Sequence, residues 1–225
     1  MEVKKDILEQ GAILQRDKKT YAIAPHIPGG IITDSNLLRK MADAFDKYGA
    51  EAIKVTSSQR LAIVGVQEDD LHALWDDLGM EKGCPIGNCV RSVRICPAQT
   101  FCKRAQQDTV SLGLEIDKKY HGMELPAKFK IAVSGCPNSC SENAVRDLGV
   151  MGSNKGYTIV IGGSAGVLPR LADKLAENIS REEVMPLVEK VIHYYQENGR
   201  KYERLGRMIE RLGIDKVKSD ILSEA

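Results

Sequence analysis

The chain has 225 residues, and its 32 Lys plus Arg against 31 Asp plus Glu give a formal net charge of +1 at pH 7. This length, with 43% hydrophobic residues, is typical of one globular domain or two small ones and argues against a disordered chain. The balanced charge argues against a nucleic-acid partner. No apolar run reaches the roughly 20 residues of a membrane-spanning helix, and the first residues lack the apolar segment of a signal peptide. We therefore expect a cytoplasmic protein without a membrane partner.

The first third of the chain predicts a ferredoxin-like α+β unit with the order β-α-β-β-α, which lacks a final strand. The predicted elements are a strand at 21–24, a helix with Leu38, Met41, Phe45 and Tyr48 on one face, strands at 51–56 and 60–66, and a helix at 68–78 with Leu71, Leu74, Trp75 and Leu78 on one face. The segment 79–88 is rich in Gly and Pro and predicts a boundary. We predict domains at 1–79 and 84–225.

The sequence of the second domain predicts a mixed α/β arrangement. Residues 128–134 alternate between apolar and polar side chains, which predicts a strand that carries Lys128 and Lys130 on its polar face. A second strand is predicted at 157–163, and its Gly162-Gly163 end would let the backbone approach a ligand closely. Ser180 and Glu183 form a capping-box pattern at the start of a helix, and a further helix carries Leu205, Met208, Ile209 and Leu212 on one face.

All six cysteines lie between residues 84 and 140, and four of them form two pairs. Cys96 and Cys102 are separated by five residues, and Cys136 and Cys140 by three. Four thiolates suit either an iron–sulfur cluster or zinc, and four unmodified buried cysteines are a third interpretation. A disulfide framework is not expected in a reducing cytosol. The spacing alone leaves these alternatives open.

The sequence around these cysteines resembles the paired signature of the sirohaem and [4Fe-4S] nitrite and sulfite reductases. The two elements are Cys96-Pro-Ala-Gln-Thr-Phe-Cys102 and Ser134-Gly-Cys-Pro-Asn-Ser-Cys140, and the supporting matches are Val55-Thr-Ser-Ser-Gln-Arg60, Leu125-Pro-Ala-Lys-Phe-Lys130 and Asp147-Leu-Gly-Val-Met-Gly152. The similarity is greatest to the small, single-repeat sulfite reductases and to the sirohaem domain of NAD(P)H-type nitrite reductases.

The resemblance implies that Cys96, Cys102, Cys136 and Cys140 hold a [4Fe-4S] cluster and that Cys140 also bridges to the iron of sirohaem. It implies reduction of sulfite to sulfide or of nitrite to ammonia, each with six electrons. It also places family anion-binding lysines at Lys128 and Lys130, and a substrate-side arginine at Arg60.

Sirohaem carries many carboxylates and the substrate is an oxyanion, so the site should be rich in cations. We predict Arg60, Arg94, Lys128 and Lys130 as catalytic residues. The predicted cofactor-binding set is Arg60, Arg91, Arg94, Lys103, Arg104, Lys128, Lys130 and Cys140. A solvated surface cation is the alternative interpretation of each of these basic side chains.

The sequence shows no dinucleotide-binding glycine motif, so electrons should come from an external donor such as a ferredoxin, an iron–sulfur subunit or a flavoprotein. Larger family members carry two copies of the unit, and the single copy here predicts a homodimer. Cys84 and Cys89 are extra to the signature, either as plain thiols or as a second redox or metal pair. A competing hypothesis for the whole chain is a non-catalytic module that carries the cofactors and transfers electrons.

Overall fold

A computed structural model describes residues 4–223 of the chain. The chain divides into two compact units, one up to Gly87 and one from Asn88 onward. Both units mix helices with sheets, which confirms the α+β prediction. No helix within residues 4–223 is both long enough and apolar enough to cross a membrane.

The N-terminal unit is a four-stranded antiparallel sheet with two α-helices. Its elements are β1 (Ile13–Leu14), β2 (Tyr21–Ile23), α1 (Ser35–Lys47), β3 (Ala52–Val55), β4 (Leu61–Val66) and α2 (Leu71–Leu78), with 3-10 turns at Leu8–Gln10, Pro28–Gly30 and Glu68–Asp70. The strands lie in the order β1-β2-β4-β3, and every neighbouring pair is antiparallel. The predicted apolar face of α2 is fully buried, because four side chains at helical spacing pack into one core.

Three features of this unit differ from the prediction. Strand β1 was not predicted, because it has only two residues and is held by its pairing with β2 rather than by a pattern of its own. The predicted helix at 68–78 begins as a 3-10 turn, and its α-helical part starts at Leu71. Leu38, predicted to share an apolar face of α1 with Met41, is 46% exposed, whereas Met41 is buried.

The C-terminal unit is a five-stranded sheet with helices. Its elements are β5 (Arg94–Ile95), α3 (Ala98–Phe101), α4 (Thr109–Tyr120), β6 (Ile131–Ser134), a 3-10 turn (Asn143–Val145), β7 (Leu148–Ser153), β8 (Gly156–Ile161), β9 (Asp173–Ile179), α5 (Arg181–Asn198), α6 (Leu205–Leu212) and α7 (Ile214–Leu222). The strand order is β5-β6-β7-β8-β9. β5, β6 and β7 are parallel to one another, whereas β8 and β9 continue the sheet antiparallel.

The two faces of this sheet have different roles. On one face, Ile95, Val133, Val150 and Ile159 lie in register across four strands and form part of a core with the helices. The opposite face carries Arg94, Ala132 and Gly149 in register, because side chains alternate along a strand. The second face, which we call the polar face, therefore carries small residues and one basic side chain.

The C-terminal helices form as predicted. α5 begins with a capping box in which Ser180 and Glu183 satisfy each other's backbone donors. The predicted apolar face of α6 is buried through Leu205, Met208 and Ile209.

The strand predicted at 128–134 begins only at Ile131, so Lys128 and Lys130 lie before it. The physical reason is a long-range contact, because the backbone N–H of Lys130 donates to the Asp147 carboxylate at 2.8 Å. Phe129 forms one isolated parallel bridge with Val90, which keeps the preceding backbone extended. The prediction of two lysines on the polar face of a regular strand is therefore wrong in its secondary structure.

Close backbone packing explains two glycines on the polar side of the sheet. A Cβ at Gly149 would lie 2.7 Å from the Asn143 carbonyl oxygen, and one at Gly163 would lie 2.6 Å from the Ala144 carbonyl oxygen. The segment Asn143–Val145 thus lies directly against the sheet. The strand predicted at 157–163 ends at Ile161, and Gly163 accommodates the chain's own backbone instead of the ligand that the sequence suggested.

Candidate active site

The four signature cysteines lie on two loops that leave neighbouring parallel strands. Cys96 follows β5 directly, and Cys136 follows β6 after a single glycine. The carboxyl ends of parallel strands meet at the same edge of a sheet, so both loops begin side by side. Cys96, Cys102, Cys136 and Cys140 line one cavity of about 60 Å³. The structure therefore brings together the four residues that the sequence motif singled out.

Gly135 joins the two cysteine loops through its backbone. Its N–H donates to the Cys96 sulfur at 3.1 Å, and its carbonyl oxygen accepts from the N–H groups of Gln106 and Gln107 at 2.8 and 3.2 Å. A hydrogen bond to a ligating sulfur is one of the contacts that set the reduction potential of an iron–sulfur cluster. Gly135 thus connects the two cysteine loops and can affect the reduction potential of the cluster.

Asn143 anchors the loop that carries Cys136 and Cys140. Its side-chain nitrogen donates to the carbonyl oxygens of Ala132 and Val150, both at 2.8 Å. Its side-chain oxygen accepts from the hydroxyls of Ser134 at 2.6 Å and Ser139 at 2.9 Å. Asn143 is fully buried, so these four hydrogen bonds satisfy an amide that would otherwise be costly to bury.

Three residues with side chains adopt left-handed backbone conformations in and beside these loops. Ala98 has φ of 42°, Ser139 of 51° and Glu142 of 62°. A positive φ costs a residue that carries a Cβ about 1–3 kcal/mol and persists only where the surroundings enforce it. Ala98 is fully buried and lines the cysteine cavity, so the strain lies at the site itself.

Arg94 and Arg146 form a basic pair on the polar face of the sheet. Both donate to the Glu142 carboxylate, Arg94 at 2.7 Å. Their Nε atoms are buried and have no hydrogen-bond partner among the described residues. Burial lowers the pKa of Arg146, and repulsion by Arg94 lowers it further, while Glu142 opposes both effects. One carboxylate therefore pairs with the buried Arg146 and the partly buried Arg94 and leaves donors for a further anion.

Lys130 extends this basic cluster. Burial lowers the pKa of its ammonium group, and the charges of Arg146, Lys128 and Arg204 add to that effect. Arg204 is itself held by the buried Asp147 through two hydrogen bonds of 2.8 and 2.6 Å. Lys128 is exposed, whereas Lys130 is half-buried. We call Arg94, Lys128, Lys130, Arg146 and Arg204 the basic cluster.

The other predicted cations are spread more widely. Arg91 is buried, with a guanidinium nitrogen 3.6 Å from the Cys89 sulfur. Lys103 and Arg104 are exposed directly after Cys102. Arg60 is buried inside the N-terminal unit, where its Nη1 would lie 3.1 Å from a Cβ at Gly83.

Sequence reasoning missed Asn143, Arg146 and Arg204. Arg146 immediately precedes the recognised motif Asp147–Gly152, so proximity to that motif was an available signal. Asn143 follows Cys140 by three residues, but only the folded loop shows that its amide reaches two strands. Arg204 is 57 residues from its partner Asp147 in sequence, and no local pattern indicates this pair.

The extra cysteines belong to different parts of the chain. Cys84 lies in the N-terminal unit, and the buried Cys89 lies in the C-terminal unit. Among the described residues, the cavity lining contains the four signature cysteines without Cys84 or Cys89.

Two family profiles cover most of the chain. The profile described as the nitrite and sulphite reductase 4Fe-4S domain matches residues 86–225, and that of the nitrite/sulfite reductase ferredoxin-like half domain matches residues 13–81. The chain belongs to the nitrite and sulfite reductase family. The resemblance inferred from the cysteine motifs and the ferredoxin-like fold prediction are both confirmed.

Individual relatives agree with the family. The assimilatory-type sulfite reductase of Nitratidesulfovibrio vulgaris is 38% identical over 213 residues, which are 95% of this chain and 97% of that protein. The NAD(P)H nitrite reductase of Bacillus subtilis is also 38% identical, over 92% of this chain but only 26% of its own length. The crystal structure of dissimilatory sulfite reductase I has a TM-score of 0.81 at 18% identity, over 92% of this chain and 70% of that one, and shows a shared fold.

This nitrite and sulfite reductase family member is an oxidoreductase with a [4Fe-4S] cluster and sirohaem as its cofactors. The residues present fit both groups. Four cysteine side chains line one cavity, which is the ligand set of a [4Fe-4S] cluster. The buried Nε atoms of Arg94 and Arg146, which have no hydrogen-bond partner within residues 4–223, fit the carboxylates of a tetrapyrrole.

We predict that replacing Asn143 by Leu lowers the free energy of unfolding by about 2–4 kcal/mol, because buried hydroxyl and carbonyl groups lose their partners. Urea denaturation of the purified protein measures this change. Iron content should fall as well, since the loop that carries Cys136 and Cys140 loses its anchor. Asn154→Leu in the exposed turn between β7 and β8 is the matched control. Equal stability of the two variants would contradict the anchoring role of Asn143.

Proposed function

We propose that the chain reduces sulfite to sulfide. Bisulfite, six electrons and six protons give hydrosulfide and three water molecules. Similarity over nearly the full length of an assimilatory-type sulfite reductase supports this substrate, since the chain matches only a quarter of the NAD(P)H nitrite reductase of Bacillus subtilis. Reduction of sulfite or nitrite is the activity of the family as a whole.

The observation that carries this proposal is the cavity lined by Cys96, Cys102, Cys136 and Cys140. We assign these four thiolates as the ligands of the [4Fe-4S] cluster. Cys140 is the only exposed one of the four, which supports it as the ligand shared with the sirohaem iron. When bound, the cluster and sirohaem would relay electrons from the external donor to the oxyanion.

The basic cluster supports catalysis rather than simple electron carriage. Lys130 has a lowered pKa through burial and neighbouring cations, so it gives up its proton more readily than an exposed lysine. We assign Lys130 and Lys128 to proton supply and Arg94 to anion binding, and we add Arg146 to the predicted set. Arg60 remains a predicted partner of the substrate and the cofactor, and Arg91 remains a predicted partner of the cofactor. A module that only transfers electrons has no need of several cations around one anion site.

Three further elements of the proposal rest on the sequence. An external protein supplies the electrons, two copies of the chain form a homodimer, and the protein is cytoplasmic. The first follows from the lack of a dinucleotide motif, and the second from the single copy of a unit that larger relatives carry twice.

Cys140→Ser should abolish activity and the coupling between haem and cluster, because it removes the shared ligand. Cys84→Ser is the matched control and should keep both chromophores, since Cys84 is outside the cavity lining. Iron, acid-labile sulfide and visible spectra of anaerobically purified protein measure the outcome, with about four cluster irons and one haem iron expected for the wild type. Loss of the cluster in Cys84→Ser with retention in Cys96→Ser would overturn the assignment.

Lys130→Met and Lys128→Met should each lower kcat with reduced methyl viologen by about 10²-fold, the usual scale for a positioned proton donor or oxyanion stabiliser. The haem spectrum should not change. Lys118→Met, an exposed lysine on α4, is the control and should retain full activity. Wild-type turnover in both variants would favour the electron-carrier hypothesis instead.

Substrate choice is tested by kcat/KM for sulfite and for nitrite under one donor, reduced methyl viologen generated electrochemically. We expect the value for sulfite to exceed that for nitrite. A clear preference for nitrite would reverse the substrate assignment while leaving the cofactor assignments intact.

A further inference from the structure

An exposed aromatic side chain lies directly beside one of the cavity cysteines. Phe101 ends the short helix α3 and is 77% exposed, and Cys102 follows it. The chain has three phenylalanines; Phe129 is fully buried and Phe45 is half-buried against a core. Burial of a side chain of this size against a partner protein would contribute about 1.5–3 kcal/mol.

Two cations stand next to this aromatic side chain. Lys103 and Arg104 are both exposed, and neither forms an ion pair or a hydrogen bond to another described residue through its side chain. The segment 96–107 contains no Asp or Glu. The following residue, Asp108, is occupied as the cap of α4, where it accepts from the N–H and the hydroxyl of Ser111. The segment therefore presents an aromatic ring and uncompensated positive charge.

The backbone of this segment is held in place. The N–H of Cys102 donates to the carbonyl of Ala98 at 2.7 Å, and the N–H groups of Gln106 and Gln107 donate to Gly135. Gln107 also donates through its side chain to the carbonyl of Ser153 at 2.8 Å. Such a surface is preorganised, which reduces the entropy lost when a partner binds.

We propose that Phe101, Lys103 and Arg104 form the docking surface for the electron donor, and that this donor is a small acidic one-electron carrier protein. The inference rests on the proposed function and extends it to the partner. Opposite charge steers a carrier to the surface and speeds association, and an exposed aromatic ring supplies the central apolar contact. Redox partners use small, transient interfaces of this kind.

The docking segment is adjacent in sequence to one of the cavity cysteines. The carrier loses one electron and the cluster gains one, and Cys102 connects the docking segment to the cavity. Six such transfers complete one sulfite reduction, so the carrier must leave after each transfer. A weak, charge-steered interface allows this turnover, whereas a large apolar one would not. In this proposal Lys103 and Arg104 bind the electron donor, in place of the sirohaem-binding role that the sequence predicted for them.

The test uses the holoprotein with two donors: an acidic [2Fe-2S] ferredoxin kept reduced by illuminated deazaflavin, and electrochemically reduced methyl viologen. Lys103→Glu and Arg104→Glu should each lower kcat/KM for ferredoxin about 10-fold, and Phe101→Ala should lower it similarly. Activity with methyl viologen should stay within about twofold of the wild type. Lys118→Glu carries the same charge change on α4 and should leave both activities unchanged.

Calorimetric titration with oxidised ferredoxin gives a readout independent of turnover. Wild-type protein should bind it with a Kd that rises as ionic strength rises, because salt screens the charges. Lys103→Glu and Arg104→Glu should weaken this binding, and Lys118→Glu should not.

Several results would overturn the docking proposal. The first is that the wild type shows no salt-dependent binding of ferredoxin, and the second is that the variants lose activity equally with both donors. The third is that the Lys103 or Arg104 variants lose sirohaem. The fourth is that Phe101→Ala changes from dimer to monomer while its binding of ferredoxin stays intact. The last result would assign the surface to a second copy of the chain. A wild type that is inactive with methyl viologen but binds ferredoxin would instead reject the proposed function.

Discussion

The amide of Asn143 is the contact on which the geometry of the site depends. It donates to the backbone of β6 and β7 and accepts from Ser134 at the end of β6 and from Ser139 in the Cys136–Cys140 loop, so one side chain connects the sheet with that loop. Its own backbone lies so close to β7 that Gly149 has no room for a Cβ. Sheet, loop and 3-10 turn thus constrain one another, and this mutual support maintains the left-handed conformations of Ser139 and Glu142.

Electrostatics impose the second constraint. The chain is nearly neutral, yet the basic cluster has five cations against two carboxylates, Glu142 and Asp147, which gives a local net charge of +3. Burying cations costs free energy unless anions accompany them. The two carboxylates hold Arg94, Arg146 and Arg204 in place without neutralising the group. The remaining charge is available to an oxyanion and to the carboxylates of a tetrapyrrole.

The sequence predicts those features that depend on local periodicity or on a specific motif. The face of α2 and the capping box of α5 follow from spacing along the chain, and the cysteine motif led to four residues that share one cavity. Features set by contacts distant in sequence were missed or misplaced. The start of β6 depends on Asp147 accepting from Lys130, and Gly163 serves a neighbouring segment of the chain. The burial of individual cations could not be predicted either, since Lys103 is exposed and Lys130 is half-buried although the two look alike in sequence.

The four cavity cysteines lie beyond the ends of β5 and β6, and none of them belongs to the hydrophobic core of the C-terminal unit. Burial of that core drives folding, so the sheet can form without any metal. In that case the cluster and sirohaem would enter a C-terminal unit that has already folded. A cell that lacks iron or sirohaem would accumulate folded but colourless protein. This protein could bind its cofactors later without new protein synthesis. Maturation, rather than folding, would then limit how much active enzyme the cell holds.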